Sequence, residues 1–178
     1  MQNRISFTDR LKSSAGELRQ TKSIALCGAL IALYLVLDLF GVKTLDNQVS
    51  LSFLAFALLG YYFGPVTATL AAIPADLLSV FTQGQTPFFG FTISAMLTCL
   101  VFAIFFYRQE VKLWRIIAAR IVINIGINSF LNALWLKMMF SKGYLVYFTG
   151  HITKNLMLLP FEIVLLWLIL KAMQKIKL

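Results

Sequence analysis

The sequence predicts an all-α integral membrane protein: a six-helix bundle with both termini in the cytoplasm. Three observations predict it. Of 178 residues, 60% are hydrophobic and only 13% are charged, whereas soluble domains are about 45–50% apolar and about 25% charged. The apolar residues fall in runs long enough to cross a bilayer, which takes roughly 20 residues per helix. The basic residues sort by side, as the positive-inside rule requires.

The elements follow in order. Residues 1–21 are polar and basic and form a cytoplasmic or interfacial N-terminal segment. Residues 22–178 form one transmembrane domain. Its first apolar run, 22–41, follows a polar segment and is long enough to span, so it reads as a retained anchor rather than a cleaved signal. The runs 49–63 and 65–82 make one apolar stretch, broken at Phe63-Gly64-Pro65. As a single helix of about 34 residues it would measure roughly 50 Å, far more than a hydrocarbon core of about 30 Å. Gly-Pro is a turn signal, so the stretch predicts two antiparallel helices, the first of them short. Runs at 88–107, 115–140 and 151–173 complete six spans. Five spans is the alternative parse. No internal repeat or low-complexity segment is visible.

Six spans put both termini on one side. That side carries the basic cluster from Arg4 to Lys22, then Arg108, Lys112 and Arg115, then Lys171, Lys175 and Lys177. The opposite side has only Lys43, Lys137 and Lys142. The basic side is therefore cytoplasmic, and the loops 42–50, 82–88 and 141–150 face outward. The net charge of +9 follows topology rather than forming a basic face, which argues against nucleic acid as a partner. Trp114, Tyr61, Tyr62, Tyr107, Tyr144 and Tyr147 fall near span ends, as an interfacial aromatic belt does. Cys27 and Cys99 lie inside apolar runs with no CxxC or Cys/His cluster, so packing is their reading and no metal site is expected.

Ionisable residues within spans are costly and are usually paired or functional. This chain has Asp38, Asp76, Arg120, Lys154 and Glu162. Asp38 lies near the outer end of its span, within reach of water. Asp76 and Glu162 each follow a proline by two residues, and either cap the backbone groups it frees or meet a ligand. Arg120, Asn124, Asn128 and Asn132 recur every fourth residue and share one helix face within roughly 120°, with Trp135 in the same arc. Such a face looks at other helices or at a cavity, never at lipid. Asparagines can bond helix to helix, or form a pocket wall with donors and an acceptor that suit a heterocycle edge. Trp135 adds a flat surface for stacking. Depth assigns Asn128, Asn132 and Trp135 to the outer half, as the candidate wall. Arg120, near the cytoplasmic end, is left as a structural or coupling residue.

His151, Lys154 and Asn155 share a face about one turn below the outer end of the last span. The lysine there pairs with a ligand carboxylate or snorkels to headgroups. Phe88, Phe89 and Phe91 follow a polar turn at an outer helix start, either as part of the pocket or as ordinary interfacial residues. In the first span, Ala25 with Ala29 and Gly28 with Ala32 form small-x-x-x-small pairs, which allow close approach of another helix. Ser129 and His151 could be imagined as a hydrolase pair, but nothing in the sequence positions them. The chain has no GxxxxGK[ST] loop and is not itself an ATPase. It is read as a non-enzyme.

The segments "FALLGYYFGPVTATLAAIPADLL", "PFFGFTISAMLT", "INSFLNALWL" and "ITKNLMLLPFEIVLL" cover most of residues 50–170. In order and spacing they resemble the S components, the substrate-binding subunits of energy-coupling factor (ECF) vitamin transporters. Among these the chain is most similar to the folate-specific ones. The resemblance implies a subunit of the bacterial cytoplasmic membrane that captures folate from outside and topples to deliver it. It also implies a transmembrane T component, docked on Ala25, Gly28, Ala29 and Ala32, and two ATPases as partners. No cofactor is implied beyond the folate ligand. The pterin would stack on Trp135 or on Phe88, Phe89 or Phe91, and Asn128 and Asn132 would bond its edge. Lys154, with His151, would face the glutamate carboxylates or the acidic loop entrance, with Asn155 a further binding candidate on that face and a lid from loop 42–50. Where the resemblance implies an arginine near the start of the last span, this chain has His151, which leaves Lys154 to meet the anion. The rival readings are an S component for thiamine, riboflavin or pantothenate, and a small membrane assembly protein.

Overall fold

The computed structural model describes residues 11–14, 16, 20–43, 48–140 and 143–175. Arg4, Arg10, Arg19, Lys142 and Lys177, used above for topology, and residues 44–47 of the expected lid lie outside this set. The order of elements is α1 (Thr21–Leu39), β1 (Val42–Lys43), β2 (Gln48–Val49), α2 (Phe53–Thr82) and α3 (Phe89–Phe106). Then come α4 (Leu113–Ile121), a π-helical stretch (Val122–Leu131), α5 (Asn132–Met139) and α6 (Tyr144–Lys175). The two-residue strands pair antiparallel, Val42 with Val49 and Lys43 with Gln48. Among the described residues these are the two strands, and the remaining elements are helical. Among the described residues, five helical stretches are long and apolar enough to cross a membrane: α1, α2, α3, Leu113–Met139 and α6.

Helix α2 is interrupted where the sequence expected a break. Gly64 has φ 71° and ψ −174°, outside the helical region. Glycine tolerates that φ without a Cβ penalty, and Pro65 has no N–H to continue the ladder. The chain reverses there. Phe56, before the break, stacks on Tyr34 with ring centroids 4.3 Å apart. Ser79, after it, donates to the carboxylate of Asp38, one turn from Tyr34 on α1. A straight helix would separate residues 56 and 79 by roughly 34 Å.

The backbone groups freed at the break are satisfied from the N-terminal segment. The Ser14 hydroxyl accepts from the N–H groups of Val66 and Thr67, both at 3.1 Å, and donates to the Phe63 carbonyl. Thr67 in turn donates to the Ser14 carbonyl at 2.6 Å. Ser14 is fully buried, so at least this part of residues 1–21 is packed against the bundle.

Small residues bring α2 and α3 close, as membrane helices require. A Cβ on Gly60 would lie 2.7 Å from the backbone nitrogen of Ala103, and one on Gly64 would lie 2.8 Å from the Tyr107 ring. Tyr107 and Tyr147, expected in the interfacial belt, are instead buried. Tyr107 is drawn in because its ring covers the glycine turn. The main core joins α2 and α3 to α4, the π-helical stretch and α6 through Leu59, Phe63, Phe102, Phe106, Ile116, Ile123 and Leu166.

Two expectations are corrected. The loop placed at 141–150 is largely helix, because α6 starts at Tyr144. That turn is held by aromatic packing: Tyr144 contacts Phe130 and stacks on Phe148. Lys154 consequently lies about ten residues, or roughly 15 Å, along its helix rather than one turn. Asp38, expected to reach water, is only 1% exposed. Ser79 and Gln83 of the returning arm of α2 donate to its Oδ2 and cover it.

Candidate functional site

The helices enclose a cavity of about 710 Å³, within the range of small-molecule sites, about 300–1,000 Å³. One end is bounded by loop residues and helix ends: Ser50, Gly84 to Thr86, Met139 and Phe140. Arg120, Ile123 and Glu162 line the cavity as well, with the Arg120 guanidinium over Phe53, three residues after Ser50. One face of α6 runs the length of the cavity, with His151, Lys154, Asn155, Leu158 and Glu162 all on the lining. Their spacing of three and four residues keeps them on one side of the helix. From His151 to Glu162 the axial rise is roughly 16 Å.

The polar ladder forms the facing wall, and its members divide. Asn128 and Asn132 line the cavity. The Asn128 amide donates to the Asn124 side-chain carbonyl at 3.2 Å, and Asn132 accepts from Ser94 of α3 at 2.7 Å. Asn124 is buried and joins the helices: its amide donates to Glu162 Oε2 at 2.7 Å. Its backbone carbonyl accepts from Ser129 at 2.7 Å and from Asn155 at 3.2 Å. The ladder thus both bonds helix to helix, at Asn124 and Asn132, and lines the cavity, at Asn128 and Asn132. The i→i+5 pattern of Val122–Leu131 is rare and usually short, and often marks functional sites. Here it covers Asn124, Asn128 and Ser129.

Arg120, set apart from the pocket by its depth in the sequence, lines the cavity. It is 1% exposed and ion-paired with Glu162 Oε2. Its guanidinium also sits over the Phe53 ring, 4.4 Å from the centroid. Glu162 thus answers a charge rather than the backbone freed by Pro160. Asp76 accepts from Thr92 of α3 at 2.7 Å.

His151, Lys154 and Asn155 are together on the lining, and Phe91 joins them. His151 and Asn155 are buried, and Lys154 is half-buried. Trp135, Phe88 and Phe89 are not among the lining residues. The Trp135 indole N–H donates to Ser94 at 3.1 Å, and its ring packs against Phe88. Gly90 makes room for that indole, since a Cβ there would lie 2.4 Å from it. Phe89 is 85% exposed. Ser129 donates to the Asn124 backbone carbonyl and accepts from the Asn155 amide. The aromatic surface of the cavity comes instead from Tyr34, Phe53 and Phe56, with Phe91. Sequence reasoning passed over the first three because they sit in uniformly apolar runs. Tyr34 did carry one signal: it is four residues from Asp38, on the same helix face.

The small residues of α1 lie on the side away from the bundle. Leu30, Tyr34 and Asp38 are its buried face, whereas Ala25, Gly28, Ala29 and Ala32 are exposed. A Cβ on Gly28 would meet nothing within 4 Å.

A family model described as the substrate-specific component of the ECF transporter matches residues 22–173. The chain belongs to this family. Members are substrate-binding components of a transporter, not enzymes, and with several membrane-crossing helices this one is a multi-pass protein of the cytoplasmic membrane. It is similar to the folate transporter FolT of Leuconostoc mesenteroides subsp. mesenteroides, 29% identical over 150 residues, covering 80% of this chain and 81% of that protein. It is also similar to the folate transporter FolT of Clostridium novyi (strain NT), 26% identical over 140 residues, covering 78% and 81%. The fold matches a crystal structure of FolT bound with folic acid, with a TM-score of 0.81 and 29% identity over 89% of this chain and 96% of that one.

Proposed function

We propose that this ECF substrate-specific component captures folate from the extracellular side and delivers it together with a transmembrane T component and two ATPases. The observation that carries the ligand is the long cavity with a cation partway along one wall, in a fold shared with a folic acid-bound protein. Folate has a flat heterocycle at one end and carboxylates at the other. The α6 face offers Lys154, with His151 and Asn155 beside it, on the cavity lining. A cation there suits the glutamate tail. Phe91, Tyr34, Phe53 and Phe56, also on the lining, give apolar faces for the rings. Asn128 and Asn132 supply donors and acceptors on the facing wall. Trp135, braced by Phe88, supports that wall from behind, and loop 42–50 is the lid.

The orientation proposed is six spans with cytoplasmic termini, the two arms of α2 counted separately. The sorting of basic residues supports it, as does the reversal at Gly64. The first arm, about 11 residues or roughly 16 Å, is the short span of the six, and the chain on its outer side makes up the rest of a core of about 30 Å. The exposed small-residue face of α1 is the proposed seat of the T component.

The test is a titration of the purified protein with folic acid, followed by tryptophan fluorescence, with thiamine, riboflavin and pantothenate as comparators. Saturable binding of folic acid alone is expected. Preference for a comparator would overturn the ligand. A second, inexpensive observation is the near-ultraviolet spectrum of the protein as purified, where a retained pterin absorbs beyond the protein band.

A further inference from the structure

Helix α1 is held unevenly along its length. Its buried residues, Leu30, Tyr34 and Asp38, all lie from the midpoint onward. There Tyr34 stacks on Phe56, Asp38 accepts from Ser79 and Gln83, and the Leu37 carbonyl accepts from Ser50 at 3.1 Å. From Thr21 to Ala29 no residue is buried, and Leu26 and Cys27 rest partly covered against the core. This N-terminal half extends roughly 13 Å along the axis. It carries Ala25, Gly28 and Ala29 of the proposed seat for the T component. A surface that receives a partner is either ordered beforehand or ordered at the expense of the association.

The chain ahead of this half is anchored elsewhere. Ser14 precedes Thr21 by seven positions, a connection that reaches at most about 25 Å. Two sets of bonds fix it at the reversal of α2. In the first, the Ser14 hydroxyl accepts from the N–H groups of Val66 and Thr67 and donates to the Phe63 carbonyl. In the second, the Thr67 hydroxyl donates to the Ser14 backbone carbonyl at 2.6 Å, and the Tyr107 hydroxyl donates to the Ser13 hydroxyl at 3.3 Å. Capping the turn needs the first set alone. The second set does nothing for the freed amides of α2. It fastens the N-terminal segment itself, to α2 and to the residue that follows α3.

We infer that Ser13 and Ser14 form a strap that ties the N-terminal half of α1 to the bundle, so that the T component meets a preformed face and the subunit moves with it as one body. The strap crosses the α2 reversal and continues into α1, which is otherwise buried only from Leu30 onward. Neither serine lines the cavity. They are positioning residues for delivery, not for capture. This rests on the T-component seat proposed above and adds the element that keeps that seat in place.

The experiment measures uptake of labelled folic acid by cells carrying the T component and both ATPases, at equal membrane levels of each variant. Beside it runs the folic acid titration of the purified chain. Two variants separate the strap from the cap. Ser14→Ala removes the cap and loosens the strap. Thr67→Val combined with Tyr107→Phe removes the second set of bonds alone, and leaves both the Ser14 hydroxyl on the α2 amides and the Tyr107 ring over Gly64. Hydrogen bonds lost from a preformed face weigh on association, so both variants should cut uptake about tenfold or more while folic acid affinity stays within about twofold. Wild-type uptake by the double variant would overturn the strap and leave Ser14 as a cap of the turn. Binding lost in step with uptake would overturn it too, because the bonds would then hold the bundle as a whole. If Ser14→Ala does not accumulate, the double variant carries the test alone. Ala29→Trp is run alongside, and wild-type uptake by it would instead remove the docking seat on which the strap rests.

Discussion

Lys154 and Arg120 are both cations in the membrane, yet their surroundings separate them. Lys154 is half-buried on the cavity wall. Its proposed task is to meet a ligand carboxylate, so Lys154→Gln should weaken folic acid about 10- to 100-fold, read as the midpoint shift in the fluorescence titration. An unshifted midpoint would mean the side chain snorkels instead. Arg120 is committed to Glu162 before any ligand arrives. Arg120→Met should leave an uncompensated carboxylate and destabilise the protein by about 3–5 kcal/mol, whereas Arg120→Met with Glu162→Leu should recover most of that. Thermal melts in detergent would measure both. Asn124 explains why the ladder resisted a single interpretation. The four positions share a face, but which face of which neighbour they meet is a property of α6, not of their spacing. Asn124 meets Glu162 and Asn155, while Asn128 and Asn132 meet the cavity.

At the level of elements, the break in α2 was legible because its causes are local. Gly64 and Pro65 each forbid the regular ladder for a reason carried by one residue. What was not legible is the cap on it. Ser14 is some fifty residues away in sequence and supplies a hydroxyl to both arms. Two predictions belong here. Gly64→Ala should cost at least about 1–2 kcal/mol, from the left-handed φ, and more from the Tyr107 ring, which lies 2.8 Å from the new Cβ. Ser14→Ala should cost about 1 kcal/mol, as loss of a helix N-cap does. Both would be read as lower melting temperatures. An unchanged Gly64→Ala melt would mean that the turn is not held as described. The start of α6 shows the opposite difficulty. Residues 141–150 read as a loop because they are polar and aromatic. Tyr144 stacks on Phe148 one turn along and also meets Phe130, a long-range contact that the segment's own sequence does not announce.

Across the whole molecule, the two faces of α1 divide the work. One face, with Leu30, Tyr34 and Asp38, packs on α2 and reaches the cavity through Tyr34. The other presents Ala25, Gly28, Ala29 and Ala32 outward. If that face seats the T component, Ala25→Trp or Ala29→Trp should abolish folate uptake by cells while leaving binding by the purified chain unchanged. Uptake at the wild-type level would refute the docking face, and loss of binding would show that the bulk disturbs the bundle.

By itself the sequence determined membrane residence, helical class, the turn at Gly64-Pro65 and the family. These follow from apolar content, run length and local backbone chemistry, all of which act within a few residues. The sequence also grouped Asn128, Asn132, His151, Lys154, Asn155 and Phe91, which line one cavity, because helical periodicity sorts side chains by face. Only the tertiary structure decided that Arg120 and Glu162 pair on the cavity lining, that Trp135 packs on Phe88 instead of lining it, and that Tyr34, Phe53 and Phe56 line it. The reason is geometric. A helix fixes which residues share a face, but the neighbour that face meets depends on how far each helix extends and where it turns back. Those quantities are set by contacts between residues far apart in the chain, and no periodicity within one segment encodes them.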